Sequence, residues 1–170
     1  SLMTERLSFE AAFAALPLVA ILRGVQPGEV RAIGDALIEA GFRIIEVPLN
    51  SPDPLQSIAL LAEAFSGRAV IGAGTVLSTE DVARVEAAGA SMVVSPNSNI
   101  AVIRASRERG LASLPGFATP SEAFAALDAG ATALKLFPAE ASSPTILKAM
   151  RATFPAETRV LPVGGITPAT

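Results

Sequence analysis

Residues Pro115–Glu140, PGFATPSEAFAALDAGATALKLFPAE, contain one complete passage from helix to strand. Thr119 stands before Pro120, a pairing that suits an N-cap followed by a first helical position whose missing N–H costs nothing. Glu122, three residues after Thr119, completes a capping box. An Ala-rich stretch with helical spacing follows, and Gly130 sits where a left-handed residue closes a helix. The run Ala133–Phe137 then reads as a strand, apolar on both faces except for Lys135. A strand of that kind belongs in a parallel sheet covered on both sides.

The same unit recurs along the chain. Apolar runs rich in strand formers occupy Leu18–Arg23, Ile44–Leu49, Ala69–Val76, Met92–Ser95, Leu111–Leu114, Ala133–Phe137 and Arg159–Val163. Their starts lie 26, 25, 23, 19, 22 and 26 residues apart, too far for hairpins and right for a strand plus a crossover helix. Pro27, Pro144 and Pro168 repeat the role of Pro120, with Ser143 and Thr167 as caps. Gly41, Gly89 and Gly110 repeat the role of Gly130. The expected fold class is α/β, one domain over residues 1–170, and the two candidates are an open doubly wound sheet and a (β/α)8 barrel. Polar residues follow nearly every strand, at Arg23, Asn50, Thr75, Asn97, Thr119, Glu140 and Gly164-Gly165, which favours a barrel whose loops feed one mouth. Seven strands are counted, with a helix opening at Thr167-Pro168; an eighth unit would take roughly 30 to 40 further residues, given the fold's lower limit of ~200.

Composition excludes several chemistries. The 170 residues include no Cys, His, Tyr or Trp, so thiol nucleophiles, disulfides, His-based triads and Cys/His zinc sites are not available, and neither a metal nor a cofactor is expected. A net charge of −3 without a basic tract argues against a nucleic-acid partner. The apolar stretch Ala11–Leu22 has 12 residues and contains Pro17, too short to span a bilayer, and no small-x-small site separates it from Arg23 as a signal peptide would require. No membrane partner is expected. Ser1 and Leu2, ahead of Met3, read as a cloning remnant.

Asp, Glu, Lys, Ser and Thr are left to carry catalysis, and lysine is scarce: 11 of the 13 basic residues are Arg. Lys135, flanked by apolar residues in a strand, would lose its charge readily and attack a carbonyl as a free amine. The structural alternative is a stem crossing the core with its head at a rim. Lys148 lies among polar neighbours and reads as a solvated helix lysine. Glu46, inside Ile44–Leu49, repeats the anomaly: a carboxyl in an apolar interior can donate and accept a proton near neutrality. A plain Glu46–Lys135 salt bridge is the competing interpretation. Arg23 offers a fork for a carboxylate or phosphate, or a rim ion pair. Thr75, in GAGTV, offers a hydroxyl beside accessible main chain, while Gly72-Ala73-Gly74 lacks the third glycine of a dinucleotide fingerprint and otherwise reads as a tight turn. Gly164-Gly165 before Thr167-Pro168 fits a barrel phosphate site at a helix N-terminus. Asp53, Glu80 and Asp81 read as first-turn carboxylates that favour the helix dipole.

At these residues the chain resembles the 2-keto-3-deoxy-6-phosphogluconate and 2-keto-3-deoxy-6-phosphogalactonate aldolases, class I aldolases on a (β/α)8 barrel. The matching blocks are LVAILRG, AGFRIIEVPLNSP, VIGAGTV, VVSPN, the Pro115–Glu140 stretch and PVGGITP. The resemblance implies that Lys135 forms the Schiff base and Glu46 transfers protons. It implies that Arg23 binds an anionic group, Thr75 the substrate carboxylate, and Gly164 and Gly165 the phosphate. Phosphogluconate-type members resemble EVTLRT after strand two and tend to carry threonine before the paired glycines. Asn50 and Val163 stand at those places here, both as in the phosphogalactonate aldolases. The implied reaction is metal-free cleavage of 2-dehydro-3-deoxy-6-phosphogalactonate to pyruvate and D-glyceraldehyde 3-phosphate by a cytoplasmic homotrimer. The gluconate epimer as main substrate, a non-covalent phosphosugar isomerase or epimerase, and a non-catalytic phosphosugar-binding barrel are the alternatives.

Overall fold

The computed structural model describes residues 5–164. Gly165, the helix start expected at Thr167-Pro168, and Ser1 and Leu2 lie outside the described residues. Helix α1 (Phe9–Ala15) comes first, followed by β1 (Ala20–Ile21), α2 (Val30–Glu39), β2 (Ile44–Pro48), α3 (Pro54–Phe65) and β3 (Val70–Gly74). Then come α4 (Thr79–Ala88), β4 (Met92–Val94), α5 (Ile100–Glu108), β5 (Ala112–Leu114) and β6 (Gly116–Phe117). The described chain finishes with α6 (Pro120–Asp128), β7 (Leu134–Leu136), α7 (Pro144–Arg151) and β8 (Val160–Pro162).

All strand pairs are parallel, in the orders β1-β2-β3-β4-β5 and β6-β7-β8. The fifth predicted strand, Leu111–Leu114, is β5, and a second short segment that was not predicted, β6, follows it beyond Pro115, so one strand position is split between them. Proline lacks the N–H that a continuous ladder needs there. The first segment pairs with β4, and the second pairs with β7 through Gly116 and Lys135. The amides of Thr132 and Ala133 also reach the Ser113 carbonyl, at 2.8 and 3.3 Å, so the two sheets form one arc of seven strand positions from a (β/α)8 barrel.

Side-chain alternation explains why the strands look apolar throughout. Ile45, Val47, Ile71, Ala73 and Val93 face the layer of α2 to α5, while Leu134 and Leu136 pack with Phe117, Ala123, Met150 and Phe154. The opposite set, Ile44, Val70, Met92, Val94, Leu114 and Leu161, fills the inside of the arc. Phe9 and Ala12 of α1 join that inner set, so α1 plugs the base. The apolar stretch Ala11–Leu22 thus comprises the end of α1, a connection over Leu16–Val19 and the two residues of β1. Among the described residues no helix is long and apolar enough to cross a membrane.

The expected helix boundaries hold at Thr119, whose hydroxyl accepts from the Glu122 amide, and at Ser143, which accepts from that of Ile146. Gly41, Gly89, Gly110 and Gly130 all take positive φ after helices. Two expectations need correction. Pro27 opens a 3-10 turn, Pro27–Glu29, and α2 starts only at Val30. Asp53 is not in a first turn but at the N-cap of α3, left-handed with φ 40° and without a capping bond; Pro54 disfavours right-handed helical geometry in the residue before it.

Candidate active site

Glu46 is the third residue of β2, on the inner face with Ile44, and only 3% of it is exposed. Lys135 is the middle residue of β7, on the inner face with Ala133, and is half-buried. Both line a cavity of about 310 Å³ inside the arc, together with Ile21, Val94, Leu114 and Val163. Among the described residues no ion pair within 4.0 Å involves either, so the two groups do not form a direct salt bridge.

Burial is the dominant influence on each. It pushes the Glu46 carboxyl above the ordinary carboxylate range, and the positive charges of Lys135 and Arg23 pull back against it. It pushes the Lys135 amine below the ordinary lysine range; Glu46 opposes that shift, and Arg23 adds to it. A nucleophilic amine and a proton carrier need shifts in these directions. Arg23, exposed just past β1, is thus close enough to act on both groups through its charge.

The glycines after Val70 are not a loop. Gly72 and Gly74 are strand residues, which corrects their reading as a turn. A methyl group on Gly74 would collide with the Glu46 carboxylate, and one on Gly72 would meet the Met92 side chain at 2.5 Å. The missing side chain at Gly74 therefore makes room for Glu46 beside the cavity. Thr75 follows with φ 56°, a left-handed conformation that a β-branched residue adopts only under constraint. Such strain concentrates at functional sites. Val163 lines the cavity, whereas Asn50 is exposed in the turn after β2. Gly164 is half-buried with φ 98°, and Gly165 lies outside the described residues.

Sequence reasoning missed Phe137, whose ring centroid lies 4.7 Å from the Lys135 Nζ. Its signal was an aromatic residue two positions beyond the lysine, hence on the same face of the strand. The contact favours the ammonium and partly offsets desolvation. Lys148 is exposed on α7, as expected.

A family model described as KDPG and KHG aldolase matches residues 9–170. The chain belongs to that family. It is 48% identical over 153 residues to the 2-dehydro-3-deoxy-6-phosphogalactonate aldolase of Escherichia coli K12, covering 90% of this chain and 75% of the relative. A solved structure described as native KDPGal superposes with a TM-score of 0.89 at 47% identity, over 91% of this chain and 75% of the other. A Legionella pneumophila KDPG aldolase, solved with pyruvate captured as a covalent carbinolamine intermediate, gives a TM-score of 0.85 at 31% identity, over 94% and 77%. The chain is thus nearer to the galactonate-type aldolase than to this gluconate-type one. The barrel favoured from sequence over the open sheet is the fold of these neighbours.

Proposed function

We propose that this aldolase-family chain is a class I aldolase cleaving 2-dehydro-3-deoxy-6-phosphogalactonate to pyruvate and D-glyceraldehyde 3-phosphate. The observation that carries the reading is a partly desolvated lysine and a buried, unpaired glutamate lining one cavity. An amine whose pKa burial lowers, beside a proton-carrying carboxyl, is what imine formation requires.

In this reading the neutral Lys135 amine attacks the C2 ketone, and Glu46 carries protons as water leaves to form the imine. The protonated imine is the electron sink. Glu46 removes the C4 hydroxyl proton, the C3–C4 bond breaks, and its electrons enter the imine as an enamine while glyceraldehyde 3-phosphate departs. Protonation of the enamine at C3 and hydrolysis of the imine then release pyruvate and the free amine. Arg23 binds an anionic group of the substrate, Thr75 holds the keto-acid carboxylate, and Gly164 and Gly165 receive the phosphate. Asn50 and Val163 set the preference for the galactonate over the gluconate epimer; the higher identity to the galactonate-type relative supports that choice. The family resemblance also supports a cytoplasmic homotrimer built from single-barrel subunits, and light scattering on the purified protein reads the subunit count.

The test is mass spectrometry after incubation with pyruvate and sodium borohydride. A reduced pyruvyl adduct confined to Lys135 is the expected result, and an adduct-free protein overturns the mechanism. Glu46→Gln is expected to slow turnover by about 10²- to 10⁴-fold.

A further inference from the structure

A second concavity, of about 300 Å³, opens at the end of the arc opposite the mouth, where the chain enters β4, β5 and β7. Three arginines line it: Arg6, ahead of α1, Arg107, in the last turn of α5, and Arg109, at its C-cap. Two acids are present, and each has its own partner. Arg109 binds Glu86 at 2.6 Å, and Glu10 stands 4.0 Å from Arg159. No carboxylate of the described residues lies within 4.0 Å of Arg6 or Arg107.

Arg107 is held in place. Its Nη1 donates to the Leu111 carbonyl at 3.3 Å and to Thr132 Oγ1 at 3.2 Å. Gly130, with φ 105°, leaves it room, since a Cβ there would approach the Arg107 Cγ to 3.2 Å. The Nη2 and Nε protons remain available to a ligand. Thr132 Oγ1 also accepts from the Ser113 amide at 2.9 Å, so both of its lone pairs are used and its proton is left to donate. Ser8 and Ser91 add hydroxyls to the same wall.

We propose that this basal pocket binds a phosphate-type dianion, either free phosphate or the phosphate group of a small ester, between Arg6 and Arg107. Two uncompensated positive charges match a dianion, and planar guanidinium forks with a hydroxyl donor beside them suit phosphate oxygens. The site is separate from the catalytic mouth. Thr132 precedes Lys135 by three residues, on the order of 10 Å along an extended strand.

The probes are inorganic phosphate and glycerol 3-phosphate, titrated separately at constant ionic strength into ¹⁵N-labelled full chain and followed by amide NMR. Saturable shifts are expected at Ser91, Gly110 and Thr132, with affinity at least tenfold weaker in Arg6→Ser and in Arg107→Gln. Shifts at Gly164, which report phosphate at the mouth, are expected to persist in both variants and so separate this site from the proposed catalytic one. Tighter binding of the ester identifies an esterified ligand; equal or tighter binding of inorganic phosphate identifies the free ion. Arg6, exposed and without a hydrogen bond to another described residue, can be changed without disturbing the fold, so Arg6→Ser keeps the test valid if Arg107→Gln fails to fold. The proposal is overturned if the three basal amides do not shift saturably, or shift alike in wild type and Arg6→Ser.

Discussion

Lys135 and Glu46 each cost the fold something, and pH reveals the cost. Burial lowers the affinity of Lys135 for its proton, so between its lowered value and the ordinary 10.5 the folded chain holds fewer protons than the unfolded chain. Stability contributed by this residue therefore rises with pH across that window and is least below it. Glu46 behaves oppositely: from 4.5 up to its raised value the folded chain holds more protons, and stability falls as pH rises. Lys135→Met is expected to abolish turnover and borohydride trapping while raising the melting temperature at neutral pH. Its melting temperature should lose the rise with pH that the wild type shows toward 10.5, as thermal scans from pH 6 to 10 would reveal. A melting temperature lower than wild type at every pH would show that Lys135 is a structural group rather than a strained one.

At the scale of elements, local chemistry and burial make separate demands. The N-terminus of α6 depends on Thr119, whose amide donates to Glu122 Oε1 at 3.0 Å and whose hydroxyl accepts from the Glu122 amide at 3.3 Å. Thr119→Ala should cost about 1 kcal/mol in a denaturant titration, the usual value of a lost cap. Helix α3 presents a contrast. Ser57 is fully buried, and its hydroxyl has no hydrogen-bond partner. Removing an unsatisfied buried hydroxyl relieves its desolvation penalty, so Ser57→Ala is expected to be neutral or stabilising by up to about 1 to 3 kcal/mol. The cap at Thr119 was legible from three letters of sequence because a capping box is a contact between near neighbours. Ser57 was not, since its isolation depends on what other elements place around it.

Over the whole molecule, the inner face of the arc carries two jobs at different heights. Near the base it is a packed layer of Ile44, Val70, Met92 and Ala112, closed by Phe9 and Ala12 of α1. Above that layer Glu46 and Lys135 meet the cavity. Phe9→Ala should cost about 3 to 5 kcal/mol, the usual range for a buried phenylalanine, in an equilibrium denaturation experiment. Well below its melting temperature the variant should still form the Lys135 imine, because Phe9 does not line the catalytic cavity. Loss of trapping in a protein that is still folded would show that α1 positions the site as well as closing the base.

The repeat of strand, helix and closing glycine, the strand assignments and both anomalous charges are set by the chain itself. They depend on period, on capping contacts between near neighbours, and on the rarity of a charge inside an apolar run. Four things were decided only in three dimensions. Pro115 splits the fifth strand between two neighbours, and α1 fills the base. Gly74 turns out to be clearance for a carboxylate. Glu46 and Lys135 line one cavity without pairing directly, although 89 positions separate them. Each is a contact between residues far apart in sequence, and local pattern carries no information about which distant side chain will occupy the space a residue leaves.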